Sequence, residues 1–338
     1  MTGPAAWGYP GVIAVAFLVS FLLTGLAAWY ARRRGLLDHP GERHSHTQVT
    51  PRGGGAGLVL AFVLMPLLVF PGGYPEWWLY AILPGVVVLA LTGWWDDHVS
   101  LSVRYRLMVQ LAVTGWLMGY AVYAGWHPGL SLMFASGLFV IWMVNLYNFM
   151  DGSNGMAGLQ GVFAAAILAV LFHAANDSSF TLLSLVLAAC CAGFLPWNLG
   201  QARVFMGDVG SLALGFAFAS MLLYGVASKA FSYPVAWLVM LLFITDASLT
   251  LLWRVIRGER WYNAHRQHLY QRMIAHGLTH GRVATVYQAV NMIMVLPGIV
   301  LAVRFPTLAW VIALVLTLTF VLGWHYLLRH YKEPATAG

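Results

Sequence analysis

The chain has 338 residues, of which 60% are apolar and 9% charged, with a formal net charge of +7. Soluble globular domains carry about 25% charged residues, so a surface facing water over most of the molecule is excluded. Apolar runs long enough to cross the roughly 30 Å hydrocarbon core of a bilayer follow one another with short polar connections. The expected fold is all-α and polytopic, about 10–11 transmembrane helices in a single membrane-embedded domain over residues 1–338.

Eleven spans are predicted, at 9–30, 55–71, 78–95, 107–124, 130–148, 157–173, 179–197, 209–227, 233–253, 285–303 and 306–327. The first has no basic segment before it and Arg32, Arg33 and Arg34 after it, the pattern of an uncleaved span rather than a secretory signal. The two cysteines, Cys190 and Cys191, are adjacent within a span and give neither a disulfide framework nor a CxxC metal site. An odd number of spans puts the termini on opposite sides. Sixteen of the eighteen Lys and Arg residues fall in loops of one face, against Lys229 and Arg304 on the other. The positive-inside rule then places the amino terminus outside and the carboxyl terminus in the cytoplasm. Topology accounts for these bases, so no nucleic-acid partner is expected. It does not account for the acids, because Asp and Glu contribute little to orientation. Asp38, Asp96, Asp97, Asp151, Asp208 and Glu259 nevertheless gather on the basic face.

The polar motifs follow in chain order. His39, His44 and His46 precede Thr50-Pro51-Arg52-Gly53-Gly54-Gly55, a glycine-rich turn beside a base that suits either a phosphate cradle or a flexible connection. Asp96-Asp97 closes the third span; adjacent carboxylates raise one pKa or share a divalent cation, unless they simply mark a solvated span end. Arg104 and Arg106, soon after, either steer phosphates or mark the inner boundary. Asn145, Asn148 and Asp151 are spaced by three and would form one polar stripe, and Gly152, Gly155 and Gly158 then let backbone approach a ligand. Asparagines within a span also serve as interhelical glue.

Phe205-Met206-Gly207-Asp208-Val209-Gly210-Ser211 opens the eighth span, where free N–H groups and the helix dipole suit an anion and Asp208 could hold a divalent cation bridging to it. A pyrophosphate with Mg²⁺ fits both. An ordinary helix cap would explain Asp208 but not the flanking glycines. Asp246 lies about 12 Å up the ninth helix, where a carboxylate costs about 2.5–3.5 kcal/mol on insertion scales. It needs a partner or a wet cavity, and a structural pair and a catalytic role are both open. In the longest basic-face loop, His265 and His268 have spacing suited to zinc, but no further ligands complete a site. Together with Arg266 they suit an anionic ligand better.

These motifs, in order over roughly residues 36 to 285, resemble a known family: the transferases that move a sugar 1-phosphate from a UDP-amino sugar to a polyprenyl phosphate. Asp38-x-Pro40, Arg43, His46 and Thr50-Pro51-Arg52-Gly53-Gly54 resemble the first motif, Asp96-Asp97 with Leu101-Ser102-Val103-Arg104 the second, and Asn145 to Gly155 the third. Phe205 to Ser211 and His265 to Arg272 look like the fourth and fifth. The resemblance implies an enzyme of the bacterial inner membrane that takes a UDP-N-acetylhexosamine and undecaprenyl phosphate, with membrane lipids around it and a homodimer left open. It implies Mg²⁺, with Mn²⁺ as a substitute, held by Asp208 and Asn148. Asn154, Asn198 and Phe205 would surround uridine, and Asp96 and Asp97 would sit near the lipid phosphate. Asp151, His265 and His268 join them as catalytic candidates, and Arg52, Arg104, Asn145 and Arg266 as substrate-binding ones.

The chain departs from the family pattern at three places. Asn154 stands where many bacterial members have Asp, as in the eukaryotic branch; His44 stands where Lys is common; and the fifth motif lacks a triple-His run. The last feature ranks the branch that initiates O-antigen or related surface glycans above a phospho-MurNAc-pentapeptide translocase. A membrane transporter is the alternative from another class, and would require polar groups along a route through the bilayer.

Overall fold

A computed structural model describes residues 8–38, 49–70, 73–259 and 266–331. The chain forms α1 (Gly8–Arg34), a two-residue antiparallel pair β1 (Leu37–Asp38) and β2 (Thr50–Pro51), then α2 (Gly55–Val69) and α3 (Leu83–Val99), which a π-helical stretch, Trp77–Ile82, extends to 23 residues. There follow α4 (Val103–Tyr123), α5 (Leu130–Met150), α6 (Met156–Ala174), α7 (Ser178–Asn198) and α8 (Asp208–Ala227). The last third holds α9 (Tyr233–Val239), α10 (Leu241–Ile256), α11 (Leu269–Ala275), α12 (His280–Val290), which continues through a π-helical stretch into α13 (Leu296–Arg304), and α14 (Ala309–His330).

Most of these helices are apolar all round rather than on one stripe, as helices bounded by lipid on one side and by other helices on the other must be. Each of the eleven predicted spans falls on a helix. Among the described residues eight are long and apolar enough to cross a membrane, and nine if the bent pair α9 and α10 is one span. The other two are α2, which has 15 residues, and α4, whose 21 residues include Arg104, Arg106 and Gln110. The protein is an all-α integral membrane protein.

The centre of the bundle is α8, 89% of whose span is buried, while α14 at the periphery is 17% buried. α3 and α5 lie along α8, and α1, α2 and α6 pack on α7. α3 approaches α8 through Gly93, where a Cβ would overlap the Asp208 carbonyl group. This close approach sets the end of α3 beside the start of α8. α9 and α10 meet at 78°. The break frees backbone groups inside the bilayer, which need internal partners; Gln160 Nε2 donates to the Val239 carbonyl at 3.3 Å, and Asn291 Nδ2 donates to Gln160 Oε1 at 2.8 Å.

Candidate active site

One end of the bundle collects the carboxyl ends of α3 and α5, the amino end of α8, the β1–β2 pair and the segment entering α11. Between them lies a cavity of about 210 Å³, lined by Asp38, Arg52, Asp97, Asp151, Gly152, Ser153, Asn154, Asn198, Phe205, Met206, Gly207, Asp208, Arg266 and Gln271. The polar residues noted in the sequence as sharing one face therefore largely share one cavity.

The two adjacent acids point to different tasks. Asp97 reaches across to α8, accepting from the backbone N–H groups of Asp208 and Val209, each at 3.2 Å. Gly207 precedes them with φ +75°, a conformation favouring glycine, and a Cβ there would stand 2.6 Å from Asp97 Oδ2. The first N–H groups of α8, expected to be open to an anion, are thus taken by a carboxylate from another helix. Arg52 donates through Nη2 to the Asp97 carbonyl. Asp96 faces the α3–α4 connection instead, accepting from Leu101 N–H at 2.5 Å and from Arg106 Nη1 at 2.9 Å.

Arg106 also approaches Asp208 Oδ2 at 3.5 Å, so one guanidinium spans Asp96 and Asp208. From the sequence it could either steer phosphates or mark the inner boundary; the signal for this bridge is a base one turn into the helix after an acid pair. Asn148 Nδ2 donates to Asp208 Oδ1 at 2.8 Å and to Ser211 Oγ at 2.9 Å. Asn148 therefore meets Asp208, its partner in the pair that the family resemblance implies. Asp151, just beyond α5, lines the same cavity; loss of solvation, then the Asp208 and Asp97 charges, push its carboxyl well above the ordinary carboxylate range.

Asn154 and Asn198 line the cavity while their amides tie its frame together. Asn154 Nδ2 donates to the Gly200 carbonyl at 2.8 Å, Gly155 N–H donates to Asn198 Oδ1 at 2.6 Å, and Asn198 Nδ2 donates to the Val204 carbonyl at 3.0 Å. Phe205 is half-buried on the wall, its N–H bonded to the Pro51 carbonyl at 2.8 Å and its own carbonyl to Gly54 N–H at 2.8 Å. Ser153 Oγ lies 3.1 Å from His280 Nδ1, which pins the turn after Asp151.

Other predicted residues lie elsewhere. Asn145 exchanges hydrogen bonds with Gln110 of α4 at 2.8 and 3.3 Å, the interhelical glue that was its other reading. Arg104 is exposed at the start of α4 and does not line the cavity. His268 is buried behind the wall, stacked against Phe149 and Tyr270, and burial holds its imidazole below the ordinary value despite the pull of Asp246. His265 lies outside the described residues, as do His39, His44 and His46. Gln271 and Asp38, which the sequence did not single out as ligand-binding residues, do line the cavity.

Among the described residues no three His, Cys, Asp or Glu side chains are grouped to hold a metal ion. The oxygen donors of Asp208 and Asn148 are nevertheless of the hard type that suits Mg²⁺, which takes one or two carboxylates and completes its shell with water and substrate phosphates. Asp38, Asp97, Asp151 and Asp208 also gather carboxyl oxygens around one cavity beside Arg52 and Arg266. The donor set fits that ion.

Comparison with known proteins gives the family. The family described as glycosyl transferase family 4 matches residues 79–226, which run from α3 to α8. The chain is 29% identical over 305 residues to the probable undecaprenyl-phosphate N-acetylglucosaminyl 1-phosphate transferase of Bacillus subtilis (strain 168), covering 86% of this chain and 85% of that protein. It is 28% identical to the decaprenyl-phosphate N-acetylglucosaminephosphotransferase of Mycobacterium tuberculosis (strain CDC 1551 / Oshkosh), covering 80% and 77% of the two chains. With the phospho-N-acetylmuramoyl-pentapeptide-transferase of Synechococcus sp. (strain JA-3-3Ab) it shares 31% identity over 68% of this chain and 71% of that one. On the strength of these matches and of the residues that α3, α5 and α8 bring together, the chain belongs to glycosyl transferase family 4.

Proposed function

We propose that the protein transfers an N-acetylhexosamine 1-phosphate from a UDP-sugar to undecaprenyl phosphate, releasing UMP and leaving a polyprenyl-diphospho-sugar that initiates a surface glycan. The observation that carries this reading is the meeting of Asp97, Asp151, Asp208, Arg52 and Arg266 on one cavity, in a chain whose relatives bear the names of polyprenyl-phosphate sugar phosphotransferases. One membrane-embedded domain over residues 1–338 carries the activity, with the cavity on the cytoplasmic face of the bacterial inner membrane.

In this reading Asp208 and Asn148 hold Mg²⁺. When bound, the ion offsets the charge that develops on the transferred phosphoryl group and on departing UMP. Arg52 and Arg266 oppose the remaining charge of the donor pyrophosphate. Arg106, bridging Asp96 and Asp208, keeps the Asp208 carboxylate oriented. Asp97 fixes the start of α8, and with it Asp208, through two N–H groups. Asp151, on the same cavity, is the catalytic carboxyl candidate for the acceptor phosphate. Asn154, Asn198 and Phe205 form the wall for the nucleoside.

Purified protein is incubated in detergent with undecaprenyl phosphate and a panel of UDP-N-acetylhexosamines, and UMP release is measured with Mg²⁺ and with EDTA. The expected result is UMP release that needs both lipid and metal, strongest with UDP-N-acetylglucosamine or a similarly simple sugar. Release from UDP-MurNAc-pentapeptide alone would favour the second reading, which rests on the Synechococcus relative. Absence of release across the panel from folded protein would sink both.

A further inference from the structure

One carboxylate stands outside this mechanism. Asp246 on α10 is 3% exposed and sits within the bundle. Leu269 N–H and Trp324 Nε1 donate to its Oδ1 at 2.9 and 3.2 Å, Thr250 Oγ1 donates to the same oxygen at 3.3 Å, and Tyr287 OH donates to Oδ2 at 2.7 Å. α10, α11, α12 and α14 thus meet on one side chain. Such convergence answers the cost of placing a carboxylate among apolar helices, and it also fixes whatever is attached to those donors.

The consequential donor is Leu269, the first residue of α11. Arg266 comes three residues before it and Gln271 two after, and both line the cavity. The turn between them is closed by His268 N–H donating to Gln271 Oε1 at 3.2 Å. A second clamp acts from the side, where Tyr270 OH donates to the Phe149 carbonyl at 2.8 Å over Gly152, whose missing Cβ leaves room for the hydroxyl. Gln267, in the same segment, accepts from Arg254 Nη1 at 2.9 Å and donates to Glu259 Oε2 at 3.0 Å, so the Asp246 link is the tie that acts on the first N–H of α11 itself.

We propose that Asp246 is a positioning residue: it fixes the start of α11 so that Arg266 and Gln271 stand on the cavity wall, and it acts on donor binding without touching the donor. The inference rests on the function proposed above, in which Arg266 opposes the donor's charge.

Leu269→Pro isolates the link. Proline is tolerated at the first helical position, where its missing N–H would have no intrahelical partner. His268 before it already has φ −59° and ψ 146°, the extended backbone that a following proline demands. The variant deletes the N–H that Asp246 accepts and leaves the carboxylate in place, while Leu269→Ala removes the buried side chain and keeps the N–H. Amide hydrogen exchange and UMP release against donor concentration are measured for both and for Asp246→Asn.

Leu269→Pro and Asp246→Asn are expected to speed exchange over residues 270–275 relative to wild type and Leu269→Ala, with the other helices unchanged. They should raise the KM for UDP-N-acetylglucosamine about tenfold, the scale of one charge-assisted hydrogen bond, with kcat altered by less than about threefold, as loss of uniform binding requires. Equal exchange in Leu269→Pro and Leu269→Ala overturns the proposal, as does faster exchange with an unchanged KM. Should Asp246→Asn fail to fold, the Leu269 pair decides alone. If the wild-type protein releases no UMP from any donor, the reaction proposed above fails, and the exchange comparison still decides whether Asp246 holds α11.

Discussion

Asp208 and Asp246 are both carboxylates set among apolar helices, yet they are satisfied in different ways. Asp208 stands at a helix start on a cavity wall, with three other acids lining the same cavity, one amide on its Oδ1 and a shared guanidinium 3.5 Å from its Oδ2. Asp246 is buried beside a second cavity of about 250 Å³ and receives four neutral donors from four segments. The first arrangement leaves charge for a ligand to complete. The second gives its acceptors to the neighbouring helices, and converts a carboxylate into a joint. Polarity inside a membrane therefore marks a ligand site where its acceptors face a cavity, and a joint where other helices take them.

The largest effect that would break this contrast is at Asp208. Asp208→Asn should lower UMP release about 10²–10³-fold, the scale of losing a principal electrostatic group, while the thermal midpoint stays near that of wild type because like-charge repulsion is relieved. A collapse of the midpoint in step with activity would make Asp208 a joint as well. Next comes Gly152→Ala, whose Cβ would overlap the Tyr270 hydroxyl. The cost of such overpacking is about 1–3 kcal/mol, and UMP release should fall about tenfold as α11 shifts; normal kinetics would show that the side clamp is dispensable.

Asn145→Ala sharpens the comparison from the other direction. It removes the Gln110 pair between α4 and α5 and should cost about 1 kcal/mol of stability, with UMP release kept within about twofold. The smallest effect is a pH dependence. Burial lowers the pKa of His268 from its ordinary 6.5, so below that pH the unfolded chain binds a proton that the folded one does not. Its contribution to stability is full above pH 6.5 and is lost as the pH falls toward the folded value. Thermal midpoints between pH 7.5 and 5.5 should therefore fall less steeply in His268→Gln than in wild type.

How much of this was legible in the sequence depends on the kind of signal. The spans were legible because crossing a bilayer demands a length and an apolar composition that few other structures need, and even α2 and α4, too short or too polar to qualify by themselves, left enough of that pattern to be found. The gathering of Asp97, Asp151 and Asp208 followed from topology, since alternating spans return every second loop to the same face. Which member of the Asp96-Asp97 pair faces α8 was not legible, because one residue of helix rotation, about 100°, decides it. Nor was the double role of Arg106, which depends on the packing of α4 against α3. Asn145 and Asn148 show the same limit: three residues apart on α5, one pairs with α4 and the other with Asp208, and only the neighbouring helices assign them.

α14 lies at the opposite extreme from α8. Leu314, Leu318 and Leu322 are spaced by four along it and are 58%, 52% and 71% exposed. A single cysteine carrying an environment-sensitive fluorophore at one of these positions would view the surrounding lipid and leave the cavity undisturbed. Cys190 and Cys191 are buried in α7, so labelling could proceed on the otherwise unaltered chain, giving the lipid annulus a spectroscopic window during turnover.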